Sequence, residues 1–175
     1  YVNTVLAMHF STSINEHDIW MRRLNYYGAT PDYLKRFHFM SADWNVQNIE
    51  QGLISDVTPS MRNAAGDSVA HVAQAFINRQ AWLARRSTDD LFFERALTDD
   101  ALNLRLSELK ASHVLHNEQA CVNYIPFDVL LDIAGHLRPE MASQIPDVCI
   151  LEIVRPNWDL TKNIGTHLNV SHVGF

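Results

Sequence analysis

The chain has 175 residues, 47% of them apolar and 19% charged, and a net charge of −6. The length fits one domain, 1–175, with room for a helical elaboration, and the apolar share argues against wholesale disorder. Acids outnumber bases and no basic run occurs, which argues against a nucleic-acid partner; no apolar run approaches the roughly 20 residues that a membrane helix needs.

In chain order, the spacing of Val2, Val5, Leu6 and His9 predicts a helix over 1–10. A second helix is predicted over about 15–27, with Trp20, Met21 and Leu24 as apolar positions and Gly28 and Pro31 as stop signals. Residues 31–56 are irregular and aromatic (Tyr33, Phe37, Phe39, Trp44), which predicts a long loop or a set of short pieces. A turn at Asp56-Val57-Thr58-Pro59 follows. Val69, Val72, Ala73, Phe76 and Ile77 favour a helix over 68–86, although Phe76-Ile77 also suits an extended piece. Residues 88–109 read as a solvated helix with Asp89, Asp90, Glu94, Asp99 and Asp100 on its surface, so 59–117 is the candidate helical insertion.

Toward the end the pattern changes. Asp128 is placed to cap a helix over 129–137, with Val129, Leu130, Ile133, Ala134 and Leu137 on one face. Residues 148–154 form the strongest strand, followed by a turn at Pro156-Asn157. Residues 168–175 alternate, which puts Leu168, Val170, His172 and Gly174 on one face. Helices first and a strand-rich tail predict an α+β fold, and no internal repeat is visible.

Four groups carry candidate chemistry. His172 is predicted on an inward strand face, either as a core histidine held by a backbone carbonyl or as a functional imidazole. Cys121 and Cys149 read as buried thiols, because neither opens a helix that would lower its pKa. His113, His116 and Glu118 are close in sequence but lack zinc spacing, so no metal site is expected. Arg36, His38 and Asp43 form a polar cluster that either fixes the aromatic loop or reads a substrate carboxylate. A triad through Ser171 is disfavoured, since adjacent strand residues face opposite ways.

Five phrases carry a resemblance: Tyr1-Val-Asn-Thr-Val-Leu-Ala-Met8, Arg36-Phe-His-Phe-Met-Ser-Ala-Asp-Trp44, Val122-Asn-Tyr-Ile-Pro-Phe127, Ile153-Val-Arg-Pro-Asn-Trp158 and Gly165-Thr-His-Leu-Asn-Val-Ser-His-Val-Gly-Phe175. Together they resemble the N-acetylmuramoyl-L-alanine amidase-like family, within the NlpC-type, papain-like superfamily of bacterial cell-wall enzymes. The resemblance implies a papain-like α+β domain and cysteine-dependent cleavage of peptidoglycan without a metal or other cofactor. It makes His172 the catalytic imidazole. The nucleophilic cysteine is expected just upstream of Tyr1, and the residue that orients the imidazole beyond Phe175. Trp44 and Tyr124 become candidate walls for sugar or stem peptide, with Arg36, His38 and Ser171 as further substrate-side candidates. The implied bond joins the muramoyl lactyl group to L-alanine. Relatives that cut within the stem peptide, or that only bind wall fragments, are the alternatives. A periplasmic or envelope location follows from that substrate.

Overall fold

The computed structural model describes residues 1–91, 97–112 and 115–175. Glu94 and His113 lie outside these. Two helices open the chain, α1 (Val2–Phe10) and α2 (Ile14–Asn25), packed against each other. Ser13 caps α2 by accepting from the Glu16 N–H, while the Glu16 carboxylate reaches back to the N–H and hydroxyl of Thr12. Gly28, at φ +61°, ends this unit as predicted.

The aromatic segment is a set of short pieces. After a turn at Tyr33–Lys35, a π-helical turn (Met40–Trp44) runs directly into α3 (Asn45–Glu50). The π turn buries Ser41, Ala42, Asp43 and Trp44 consecutively, which no α-helical stripe does.

Residues 71–77 form a strand rather than the helix favoured by spacing. In β1 (His71–Ile77), Ala73, Ala75 and Ile77 are buried while Val72 and Phe76 face out, a strict period of two. Small inward residues let β1 sit close under its neighbours, and the larger outward pair mimics a helical stripe. A short helix α4 (Arg79–Ala84) and the helix α5 (Asp99–Ala111) follow. The stretch 59–117 therefore contains a core strand as well as helices. β1 pairs antiparallel with β2 (Glu118–Tyr124), from His71 opposite Tyr124 to Ile77 opposite Glu118.

The predicted helix over 129–137 is also replaced. Only one turn forms, α6 (Phe127–Leu130), and Asp132 then folds the chain back. The Asp132 carboxylate accepts from the N–H groups of Ala134 and His136, both at 2.9 Å, and Gly135 takes φ +84°. These bonds offer the backbone an alternative to helix. The same hairpin occurs earlier: Asn63 accepts from Ala65 and Asp67, and Gly66 takes φ +87°. The chain thus carries a small repeat that its residues disguise, Asn-Ala-Ala-Gly-Asp against Asp-Ile-Ala-Gly-His. Around both hairpins and α7 (Pro139–Ala142) lies a minor core of Met61, Val69 and Met141, with Val129, Leu130 and Ile145 against it.

A second antiparallel pair closes the chain, β3 (Leu151–Asp159) with β4 (His167–Gly174), joined through α8 (Thr161–Ile164). β3 continues through Pro156-Asn157, where a turn was predicted, by shifting register with Asn157 at φ +49°. Val148 precedes the strand and is exposed. β1 contacts both β3 and β4, and the main core gathers Phe39, Ala42, Ala75, Ile77, Trp82, Leu83 and Ala120 from the π turn and its flank, β1, α4 and β2, with Leu168 of β4 packed against it. Helices in the N-terminal part and small antiparallel sheets in the C-terminal part make this a mixed α and β fold, as the sequence order predicted.

Candidate active site

β4 carries His172 in an irregular stretch of strand. Ile153 pairs with His172, yet the next residue of β3, Val154, pairs with Val170. Ser171 is therefore a bulge, and its hydroxyl donates to the Ile153 carbonyl at 3.0 Å. Because Val170 and His172 oppose consecutive residues of β3, they face opposite ways. This corrects the expectation that Leu168, Val170, His172 and Gly174 share one inward face. His172 is the one exposed residue of β4. The inward position goes to Asn169, which is fully buried, donates to the carbonyls of Ala73 and Ala120, and accepts from the Ser41 hydroxyl.

The start of α1 lies near the end of β4. The rings of Tyr1 and Phe175 meet edge to face, with centroids 6.3 Å apart. One turn into α1, Asn3 accepts from the Trp44 indole N–H at 2.7 Å and donates to Asn25. The residue after Trp44, Asn45, donates to Glu152 at 3.0 Å, and Glu152 lies opposite Val173 in the β3–β4 ladder. Burial pushes the Glu152 carboxyl above the usual carboxylate range, against the smaller opposing effect of the Asn45 bond. Through these contacts α1, α3, β3 and β4 converge near the strand end that bears His172.

Beneath this lies a buried polar cluster. Asp43, fully buried in the π turn, accepts from the Tyr27 hydroxyl, from the backbone N–H groups of His38 and Phe39, and from both terminal nitrogens of Arg79. Arg79 also bonds Glu118 and lies over the Phe39 ring. Burial alone would lower the Arg79 pKa, but its bonds to Asp43 and Glu118 outweigh that and raise it. Burial and the Asp43 charge together push the Tyr27 hydroxyl up. Desolvation lowers the His38 pKa, keeping its ring neutral as it donates Nε2–H to the Tyr33 carbonyl at 2.6 Å.

The structure separates the other candidates. Trp44, read as a ligand wall, is 3% exposed and belongs to the core. Tyr124 ends β2 opposite His71, and its ring lies beside the His71 ring. Arg36 is exposed, and the guanidinium that meets Asp43 is that of Arg79 instead. His38 and Asp43 do meet, but through the His38 backbone, so that group fixes the loop. Ser171 alone adjoins His172, with its hydroxyl committed to Ile153. Neither cysteine is buried: Cys121 is exposed on β2 and Cys149 is partly exposed before β3. Among the described residues no cluster of three or more His, Cys, Asp or Glu side chains is arranged to hold a metal, and Glu118 is engaged with Arg79. No described helix is long and apolar enough to cross a membrane.

A mixed α and β domain with an exposed strand histidine beside a helix start has a recognisable relative. The chain belongs to the N-acetylmuramoyl-L-alanine amidase-like (AmiA-like) family, which it matches over residues 1–175. No curated protein matches it. Among solved structures it is similar to a Legionella pneumophila protein of the DUF1460 family, with 37% identity and a TM-score of 0.92; the match covers 100% of this chain and 58% of that one. It also shares its fold with a Bacteroides fragilis protein described as a putative xylanase, with 20% identity, a TM-score of 0.56, and 99% and 64% of the two chains covered. The chain thus spans less than two thirds of the length of either structure.

Proposed function

We propose that this chain is the central part of a peptidoglycan amidase, and that His172 is its catalytic imidazole. The observation that carries this reading is the proximity of Tyr1 and Phe175, whose ring centroids lie 6.3 Å apart, so that the first turn of α1 lies near the strand end bearing His172. No acidic side chain stands in that first turn to oppose an anion there. A helix start stabilises a thiolate through its dipole and free N–H groups. In this proposal the segment preceding Tyr1 supplies the thiolate, in keeping with the NlpC-type, papain-like assignment made from the sequence.

The thiolate attacks the amide carbonyl joining the muramoyl lactyl group to L-alanine. His172, as imidazolium, protonates the departing amine, and a thioester forms. The neutral imidazole then takes a proton from water, whose oxygen attacks the thioester and releases the carboxylate and the thiol. Exposure of His172 suits this role, since it must reach a polymeric substrate from solvent. That substrate implies a periplasmic or envelope location.

The test is incubation of the full-length protein with purified N-acetylmuramoyl peptides and product analysis by mass spectrometry. Free muramoyl sugar and intact stem peptide support the amidase reading. Cleavage within the stem would move the reading to an endopeptidase, and a folded protein that cleaves nothing would reject both.

A further inference from the structure

The proposed chemistry needs the start of α1 and the strand bearing His172 in one fixed register, yet α1 packs chiefly against α2. The π turn and the residue after it supply a frame for that register. Ser41 donates to Asn169 of β4, Asp43 accepts from Arg79 of α4, and Asn45 donates to Glu152 of β3. Two of these anchors adjoin the site. Asn169 precedes the Ser171 bulge on the strand of His172 itself, and Glu152 pairs with Val173, the residue after His172. π-helical turns are rare and recur at functional sites, and this one sends neighbouring side chains to different elements.

Trp44 connects that frame to α1. Its side chain is buried, and its backbone carbonyl accepts from the Asn48 amide at 2.8 Å. Its indole N–H donates to Oδ1 of Asn3, in the first turn of α1, at 2.7 Å. Asn3 is held from the other side as well. Its amide donates to Asn25, whose own amide bonds the Met21 carbonyl at 2.6 Å and whose carbonyl accepts from the Phe37 N–H. Among the described residues, the Trp44–Asn3 bond is the one hydrogen bond that ties α1 to any element beyond α2. An indole N–H buried without an acceptor is costly, so the bond favours one placement of the helix start over its neighbours.

We propose that Asn3 is a positioning residue: by accepting from Trp44 it registers the first turn of α1 against the strand that bears His172. The role rests on the amidase reading, and Asn3 acts through the helix start without touching the reacting atoms. Small misplacements of this kind are expensive, since a shift of about 1 Å can cost about 10²-fold in rate.

The experiment measures kcat and KM of the full-length protein on N-acetylmuramoyl peptides, each variant assayed well below its own Tm. Asn3→Leu removes the acceptor and keeps the bulk, and Asn3→Ala removes both. Each should lower kcat about 10–100-fold while KM changes by less than about twofold. Trp44→Phe removes the donor. Combined with Asn3→Leu it should be no slower than the slower single variant, within about twofold, because both changes break one bond. Should Trp44→Phe not fold, the two Asn3 variants decide. A merely structural Asn3 would lower Tm and leave kcat of the folded protein at the wild-type value. That result, an Asn3→Leu protein at full speed, or losses that multiply in the double variant would overturn the positioning role and leave the amidase standing. Wild-type protein that cleaves no N-acetylmuramoyl peptide removes the amidase reading and this role with it.

Discussion

The polar groups around Asp43 and the stretch of β4 around His172 are built by opposite rules. Asp43 is removed from solvent and every lone-pair direction finds a donor, from Tyr27, two backbone N–H groups and Arg79. His172 sits on a bulged strand, open to solvent, and its ring makes no hydrogen bond among the described residues. Buried charge is stable only when fully partnered, whereas a proton-transferring group must keep a ring nitrogen within reach of the substrate. The contrast marks the first region as a stability element, and the proposed function places its chemistry in the second.

The largest expected break in that contrast is Asp43→Ala. It strands the buried Arg79 guanidinium and should lower the unfolding free energy by about 3–5 kcal/mol in urea titration. An effect of the size seen for surface ion pairs, about 1 kcal/mol or less, would mean the cluster is not a structural anchor. Next comes Gly165→Ala. Gly165 takes φ +87° and a Cβ there would lie 2.6 Å from the Ala81 carbonyl oxygen, with backbone on both sides of the contact. A loss of order 1–3 kcal/mol in thermal or urea unfolding is expected, and no change would show that the α4–α8 approach can relax.

A smaller effect concerns His38. Its folded pKa lies below the ordinary histidine value because burial disfavours the cation. The neutral ring's contribution is therefore complete above the unfolded pKa, about 6.5, and is lost as pH falls through the depressed folded value. The Tm advantage of wild type over His38→Gln should shrink on acidification from pH 7 to pH 5; an advantage that grows would reverse the sign of this account. Smallest of all is the stability change in His172→Ala, expected within about 0.5 kcal/mol because an exposed, unpartnered side chain is removed.

Legibility followed the same divide. Both opening helices, the strand character of 167–174 and the α-before-β order were readable, because periodicity and capping residues act locally. The 71–77 strand and the Asp132 hairpin were misread where short apolar spacing fits a helix as well as a strand or turn. His172 stood out as an ionisable residue in an apolar strand, but the Ser171 bulge that offsets it from Val170 leaves no period in the sequence. Arg79 was missed as the partner of Asp43, since their pairing joins a π turn to a helix across 36 positions. A signal did exist in Asp43 and Asn169, polar residues flanked by Ala42 and Trp44 and by Leu168 and Val170. Such residues are buried only when the fold supplies partners for them.

The most direct measurement compares the full-length wild type with His172→Ala for cleavage of N-acetylmuramoyl peptides, with Tm recorded for both. The account predicts that turnover falls by at least about 10²–10⁴-fold, the range for loss of a general acid–base, while Tm stays unchanged. A folded His172→Ala protein that still cleaves at the wild-type rate would contradict it.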